Sequence, residues 1–229
     1  MRFDEFKAVL SLSREEIYRE ILARDDSTVK IKKAHVAVKN LEKIFDATLS
    51  LSHRKGFHAM TLRDLSRESG LSMGALYSYF SSKDELLDMI QDQGRLTVQR
   101  VLADRIEKVP GAALKLSEAV YTHLYLSEAY FHWFYFAYME TKNLSKEQQK
   151  KAIASELFTE KIFIDILEQG RREGVFDLTE TALAAAAIKA LLQDWYLKRW
   201  KYTRRKITVE DYARFVLEFI QAYLNKGKS

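Results

Sequence analysis

The fold of this chain is decided by residues 61–80, which read TLRDLSRESGLSMGALYSYF. Thr61 followed three positions later by Asp64 is typical of a helix start, and Gly70 is typical of a helix end. Ser72 then starts a second short helix, which we predict to run to the end of the quoted stretch. Two short helices joined by a turn of three or four residues that contains glycine form a helix-turn-helix, whose second helix lies in the major groove of DNA.

The preceding segment adds a third helix, which Gly56 ends. Its apolar residues recur at helical spacing and face the apolar residues of the quoted stretch. The packed set is Leu41, Ile44, Phe45, Leu62, Leu65, Leu71, Leu76 and Phe80. The side chains left on the outward side are Ser72, Met73, Gly74, Tyr77 and Ser78. Because helix-turn-helix packing also occurs in proteins that bind no DNA, this spacing alone leaves a purely structural role open.

The rest of the chain also has a helical pattern. Glycine is scarce, Pro110 is the single proline, and no strand-like alternation of apolar and polar residues is sustained. We predict a short N-terminal helix capped by Ser13 and a fourth helix from the capping box at Ser82 to about Glu107. The later predicted helices are Ala112–Tyr125, Glu128–Thr141, Lys146–Glu173, Glu180–Lys201 and Val209–Asn225. The chain is therefore predicted to be all-α.

The composition and the lengths of the apolar runs indicate where in the cell the protein is found. The 229 residues include no cysteine, which excludes disulfides and thiolate metal sites. No apolar run approaches the ~20 residues that span a bilayer, and the N-terminus does not resemble a signal peptide. We therefore expect a cytoplasmic protein that is neither secreted nor embedded in a membrane.

Basic residues are concentrated before and within the helix-turn-helix, whereas the net charge of the whole chain is only +5. The basic set is Lys30, Lys32, Lys33, Lys39, Lys43, Arg54, Lys55, Arg63 and Arg67. Such a set is either an electrostatic footprint for phosphate or a solvated helix face, and charge alone does not choose between them.

An enzyme is the main alternative, and the sequence argues against it. Ser52 and Lys55 have the S-x-x-K spacing of some acyl-transferring hydrolases, but the accompanying motifs are missing. The five histidines show no metal-ligand spacing, and no glycine-rich phosphate loop is found. We expect no catalysis, no metal site and no cofactor. A module that binds proteins or membrane surfaces through its basic helices is a second alternative.

Four segments, taken together, resemble the DNA-binding domain of TetR-type repressors. They are residues 44–57, 61–65, 69–80 and 82–87, and the likeness covers about residues 38–88 without gaps. The resemblance implies a homodimer that binds a palindromic operator in double-stranded DNA. It also implies that a small-molecule effector binds the C-terminal domain and releases the operator.

The resemblance also implies roles for individual residues. Thr61 would cap its helix and touch a phosphate, Tyr77 would hydrogen-bond the DNA backbone, and Lys83 would be a further phosphate contact. Arg63 belongs to the same predicted DNA-binding set. The residues that would read or abut bases are Ser72, Met73, Gly74, Ser78 and Tyr79. Ala75 departs from the family pattern, where a polar residue often stands; with Met73 it suggests contacts to thymine methyl groups.

The predicted domains are an N-terminal extension (residues 1–37), a helix-turn-helix domain (38–88) and an effector-binding and dimerisation domain (89–229). The extension has no counterpart in a minimal family member, and a DNA-holding arm and an extra packing helix are both open. In the last domain, aromatic residues that recur through two helices line either a core or a ligand cavity. The candidate lining residues are His123, His132 and Tyr135.

Trp195 is a fourth ligand-binding candidate. The segment around it, residues 195–202, is similar to the last helices of family members that respond to long-chain acyl thioesters. The last two helices form either the dimer interface or a helical bundle buried within one chain. We expect the dimer interface, because a single short recognition helix gives too little specificity alone. Effector binding is expected to shift the fourth helix and so change the separation of the two recognition helices.

Overall fold

The computed structural model describes residues 2–8, 10, 19, 34–141 and 144–225. Within these ranges the secondary structure is helical and no strand occurs, so the all-α prediction is confirmed. Residues 3–8 are helical. The helices that follow are α1 (Ala34–Lys55), α2 (Leu62–Ser69), α3 (Met73–Leu76), α4 (Lys83–Glu107), α5 (Ala112–Ala129), α6 (Phe131–Met139), α7 (Lys146–Arg172), α8 (Thr181–Leu197), α9 (Arg199–Arg204) and α10 (Val209–Leu224).

The chain divides into two compact units. The helix-turn-helix unit consists of Ala8–Thr97 and His132–Gln148, and the large unit consists of Met1–Lys7, Val98–Phe131 and Gln149–Ser229. Most of α6 thus belongs to the helix-turn-helix unit. The domain boundaries from the sequence remain a prediction. The predicted helix capped by Ser13 and the basic residues Lys30, Lys32 and Lys33 lie outside the described residues.

Local hydrogen bonds set the ends of the short helices, as predicted. Thr61 Oγ1 accepts from the N–H of Asp64, and the Asp64 carboxylate accepts from the N–H of Thr61 at 2.9 Å, so α2 begins with a complete capping box. Gly70 ends the helix with φ at 70°, a left-handed conformation that costs glycine little. Ser72 Oγ caps α3 by accepting from the N–H of Ala75.

Two predictions in this region need correction. Helix α3 ends at Leu76 and not near Phe80, because the following residues form tighter turns that carry Tyr79 into the core. The start of α4 also differs from the predicted box. Ser82 Oγ accepts from the N–H of Glu85, but the Glu85 carboxylate accepts from the N–H and hydroxyl of Ser81, one residue earlier.

A close approach between α4 and α6 explains a glycine inside a long helix. The indole of Trp133 lies against Gly94, where an added Cβ atom would come within 1.8 Å of the ring. Trp133 Nε1 donates to the carbonyl of Ile90 at 3.1 Å, one turn earlier on α4. Glycine weakens a helix by ~1 kcal/mol relative to alanine, so at this position the aromatic packing outweighs helix propensity.

In the large unit, an aromatic stack joins three of the last helices. The Trp195 ring stacks on Tyr202 and Tyr212, with ring centroids 5.0 and 5.1 Å away. The predicted helix Glu180–Lys201 is therefore two helices, because the chain leaves helical geometry at Lys198 and brings Tyr202 onto Trp195. Asp194 secures this bend by accepting hydrogen bonds from Lys198, Lys201 and Tyr202. Burial would raise the pKa of Asp194, but these bonds lower it to about 2.

The first residues of the chain pack on the large unit. Phe6 is buried, and its ring lies 5.5 Å from that of Tyr125 and beneath the guanidinium of Arg105. The N–H of Phe3 donates to Glu210 Oε1 at 3.1 Å. Of the two roles left open for the N-terminal extension, these contacts favour the packing helix for residues 2–7. No helix within the described ranges has the length and apolar character that a membrane crossing requires.

We predict that Gly94→Ala destabilises the protein by about 2 kcal/mol, because the new methyl group displaces the Trp133 indole and its hydrogen bond. Gly74→Ala is the matched control: that glycine is also helical, and an added Cβ meets nothing within 4 Å. Urea unfolding followed by circular dichroism, at one protein concentration, measures both variants. Equal stability of Gly94→Ala and the parent would contradict the packing described.

Candidate nucleic-acid interface

The start of α2 presents two of the predicted DNA-binding residues to solvent. Thr61 and Arg63 are both exposed. Thr61 Oγ1 serves the capping box, which confirms its predicted role as helix cap. Arg63 forms no ion pair with any residue that the structure describes, so its guanidinium is available to an anion. The contact of Thr61 with a phosphate stays a prediction.

Helix α3 exposes a polar face. Ser72 and Gly74 are exposed, Tyr77 has 54% of its surface accessible, and Met73 and Ser78 are half-buried. The Ser78 hydroxyl donates to the carbonyl of Ala75 at 2.6 Å, which leaves its oxygen as an acceptor. Among the described residues, an added Cβ at Gly74 would meet nothing within 4 Å. This surface can therefore meet a groove or a phosphate with little steric hindrance.

Tyr79 lies in the core, contrary to the prediction that it reads or abuts bases. None of its surface is exposed, and its hydroxyl accepts from Asn40 Nδ2 of α1 at 2.9 Å. Burial raises the pKa of this phenol. Because ring and hydroxyl are both enclosed, Tyr79 anchors the end of α3 to α1, and we remove it from the candidate contacts.

Lys83 also differs from its predicted role as a phosphate contact. Its Nζ donates to three backbone carbonyls between α1 and α2, those of Phe57 at 2.9 Å, His58 at 3.1 Å and Met60 at 2.8 Å. The ammonium also lies over the Phe57 ring, 4.9 Å from its centroid. Since an ammonium has three donors, all of them are used within the protein. Lys83 therefore clamps this segment to the first turn of α4.

Several basic residues of the predicted footprint are paired with acids. Arg54 lies 2.8 Å from Glu68, and Lys55 and Arg67 both contact Asp64. Lys39 and Lys43 are exposed on α1. In the part of the footprint that the structure describes, the positive charge available to phosphate therefore comes mainly from Arg63, Lys39 and Lys43.

The predicted effector-binding residues do not form one cluster. His132 and Tyr135 belong to the helix-turn-helix unit, where each ring lies 5.2 Å from that of His53 on α1. Burial, reinforced by the nearby His53, lowers the pKa of His132. His123 and Trp195 belong to the large unit. The lining roles of His123, His132 and Tyr135 stay predictions.

Trp195 is corrected to a core residue. It is completely buried, its ring contacts Tyr202, Tyr212 and the guanidinium of Arg199, and its Nε1 donates to Glu128 at 3.0 Å. His123 is also buried, and its neighbour Lys189 was missed by the sequence analysis. The sequence feature that could have identified Lys189 is its position as the single lysine inside the apolar helix segment 183–192.

The side chains of Ser52 and Lys55, which have the S-x-x-K spacing, each bond to other residues. Ser52 is buried on α1, where its hydroxyl donates to the carbonyl of Thr48 at 2.7 Å, while Lys55 pairs with Asp64. Within the described ranges no three of the residues histidine, aspartate or glutamate lie close enough together to hold a metal ion.

Comparison with known proteins gives two family matches. Residues 44–90 match the model of bacterial regulatory proteins, tetR family, and residues 111–221 match the model of the tetracyclin repressor-like C-terminal domain. The HTH-type transcriptional regulator HbdR of Aromatoleum sp. (strain CIB) is 23% identical over 187 residues, which cover 81% of this chain and 82% of HbdR. This relative is named as a regulator and not as an enzyme.

Two solved structures share the fold. A bacterial regulatory protein of the tetR family from Rhodococcus RHA1 has a TM-score of 0.73 and 23% identity, covering 81% of this chain and 97% of that one. The transcriptional regulator FadR from Bacillus subtilis, solved in complex with stearoyl-CoA, has a TM-score of 0.65 and 19% identity, covering 80% and 98%.

The three bonds of Lys83 give a prediction that separates a clamp from a phosphate contact. Lys83→Met should destabilise the protein by about 2 kcal/mol, because bonds from a charged donor are lost and the carbonyls lose a partner. Lys43→Met, an exposed position on α1, should leave stability unchanged. Thermal unfolding measures both. Unchanged stability of Lys83→Met, with a salt dependence of DNA binding reduced by one phosphate contact, would restore the original interpretation.

Proposed function

The chain belongs to the TetR family of bacterial regulatory proteins, and we propose that it is a repressor that binds a palindromic operator as a homodimer and leaves it when a small hydrophobic or amphipathic effector binds. Membership of this family supports DNA binding by the helix-turn-helix. The observation that carries the proposal is the exposed face of α3. Ser72, Gly74 and Tyr77, which lie within or directly beside α3, are all exposed.

Gly74 supports the close approach of DNA. A glycine inside a helix lowers stability, and at Gly94 the packing of Trp133 accounts for it. Around Gly74 the protein leaves open space, so nothing within the described structure requires the missing side chain. A phosphate or base edge that approaches the backbone of α3 would require it.

We propose two classes of contact with DNA, one to the sugar-phosphate backbone and one to the base edges. Arg63, Thr61 and Tyr77 would contact the sugar-phosphate backbone and so determine affinity. Ser72, Met73, Gly74 and Ser78 would face base edges and so determine sequence preference.

The surface of the last helices supports dimerisation. Leu183 on α8 is 68% exposed, and Phe215 and Phe219 on α10 are 59% and 58% exposed. Tyr223 continues this row on α10, and Ala186, Ala187 and Ala190 are exposed on α8. Small residues beside large apolar ones allow helices of two copies to approach closely and bury this surface in a four-helix bundle. A dimer also presents two recognition helices, which a palindromic operator requires.

The class of effector is suggested by a structural relative. The Bacillus subtilis FadR structure contains stearoyl-CoA. We therefore propose that the effector of this chain is an acyl compound, with an acyl thioester as one candidate form.

Tyr77→Ala should weaken binding to all DNA sequences and flatten the salt dependence, because an exposed contact to the DNA backbone is lost. Its stability should not change, since the side chain is 54% exposed. The operator is first selected from a random DNA pool and then titrated by fluorescence anisotropy at several salt concentrations. A variant that binds like the parent would contradict the assignment of α3 as the recognition helix.

Phe219→Glu should convert the dimer into a monomer at micromolar concentration, because the carboxylate would be buried against the apolar surface of the partner. Leu114→Glu is the control: Leu114 is 56% exposed on α5, outside the proposed interface. Sedimentation equilibrium of the two variants and the parent measures the mass. Dimeric Phe219→Glu would place the interface elsewhere.

A further inference from the structure

The large unit contains a buried lysine between three helices. Lys189, in the middle of α8, has a side chain that is only 5% exposed. Its Nζ donates to Thr159 Oγ1 of α7 at 2.7 Å and lies 3.4 Å from His123 Nε2 of α5. The same Nζ lies 3.4 Å from Glu156 Oε2, also on α7. We call these four residues the Lys189 cluster.

Apolar side chains surround the cluster along each helix. On α8 the residues one turn before and almost one turn after Lys189, Ala185 and Leu192, are buried. Phe163 follows Thr159 by one turn on α7 and is also buried. Burial lowers the pKa of Lys189, while Glu156 acts in the opposite direction. An ammonium in such surroundings is expensive to bury, and apolar residues of similar volume often replace buried ion pairs without loss of stability.

His123 does not compete for the role of cation. Burial, followed by the adjacent charge of Lys189, lowers the pKa of His123 well below its ordinary value. The imidazole is therefore neutral near pH 7 and adds no second positive charge beside Lys189. A neutral imidazole can accept from Lys189 through Nε2 in one of its tautomers.

Glu156 is a replaceable counter-ion. Its side chain is 45% exposed, its contact with Lys189 is long at 3.4 Å, and its Oε1 is held by Gln193 at 2.8 Å. Rotation of Glu156 towards solvent would free one side of the Lys189 ammonium. Thr159 would keep its place, because its hydroxyl can donate to the Glu156 carbonyl of its own helix at 2.9 Å.

We propose that Lys189 is the anion-binding group of the effector site, and that the effector is an apolar monocarboxylic acid whose carboxylate replaces Glu156 on Lys189 Nζ. This inference rests on the proposed function, since it identifies the ligand class of that regulator. Exchange of one carboxylate for another keeps the buried ammonium paired throughout. A neutral amide of the same acid, or the thioester group of its coenzyme A ester, brings no charge to Lys189. If either displaced Glu156, only the more distant Glu160 would still act on the ammonium.

The test compares three probes with one chain length on the full-length protein. Isothermal titration calorimetry with decanoate, decanamide and decanoyl coenzyme A, repeated with phenylacetate and its amide, measures affinity. We expect at least one acid to bind about tenfold or more tightly than its amide. Binding of neither acid, or equal binding of acid and amide, would overturn the proposal.

Variants of the cluster distinguish recognition from a structural role. Lys189→Met should lose the preference for acid over amide, and Lys161→Met, an exposed position on α7, should keep it. Glu156→Gln removes the resident counter-ion and should tighten acid binding severalfold, an effect that a merely structural lysine would not produce. This second variant decides the question if Lys189→Met does not fold. Weaker or unchanged acid binding by Glu156→Gln would overturn counter-ion exchange.

Operator binding, measured on the same samples, separates the two proposals. If the operator is bound and decanoyl coenzyme A releases it while neither acid binds, the regulator assignment stands and the role of Lys189 is wrong. If the protein selects no DNA sequence, the proposed function is wrong, whether or not an acid binds at Lys189.

Discussion

The arrangement of the two short helices depends on one ammonium group. Helix α2 has eight residues and α3 has four, so neither would be stable as an isolated helix. Their position depends on the segment that leads from α1 into α2, and Lys83 holds that segment through three carbonyls. A charged donor gives stronger hydrogen bonds than a neutral one, and here it is partly withdrawn from water. Tyr79 completes the anchoring by joining the end of α3 to Asn40 of α1.

The parts of the fold that could be predicted are those set by neighbouring residues. Thr61 and Asp64 are three positions apart, and Gly70 needs no partner to adopt its conformation, so both ends of α2 follow from local sequence. Tyr79 could not be assigned in this way. Whether a side chain at the end of a helix points inwards depends on its partner, and Asn40 lies 39 positions away. The same limit applies to Lys83, whose carbonyl partners lie 23 to 26 positions before it.

In the large unit, composition indicated burial without indicating which residue is buried where. Aromatic residues suggested either a core or a cavity, and the structure uses Trp195 as a core residue with ring contacts on several sides. The break at Lys198 was not predicted, because it accompanies the stacking of Tyr202 on Trp195, a contact that helical spacing does not indicate. Lys189 was hidden for a similar reason. One lysine in an alanine-rich helix is typical of a solvated face, and only the positions of α5 and α7 bury it.

Features that lower stability without a gain inside the protein are the best guides to its function. Gly94 and Gly74 both weaken a helix, yet Trp133 explains the first, and nothing in the described part of the chain explains the second. Lys189 differs from Gly74 in having partners within the protein, but an apolar residue would fill its place with no desolvated charge. Proteins retain such residues where a partner outside the chain uses them. For Gly74 the open space on the exposed face of α3 suits a bulky polyanion, and for Lys189 the enclosed ammonium suits a single carboxylate with an apolar body.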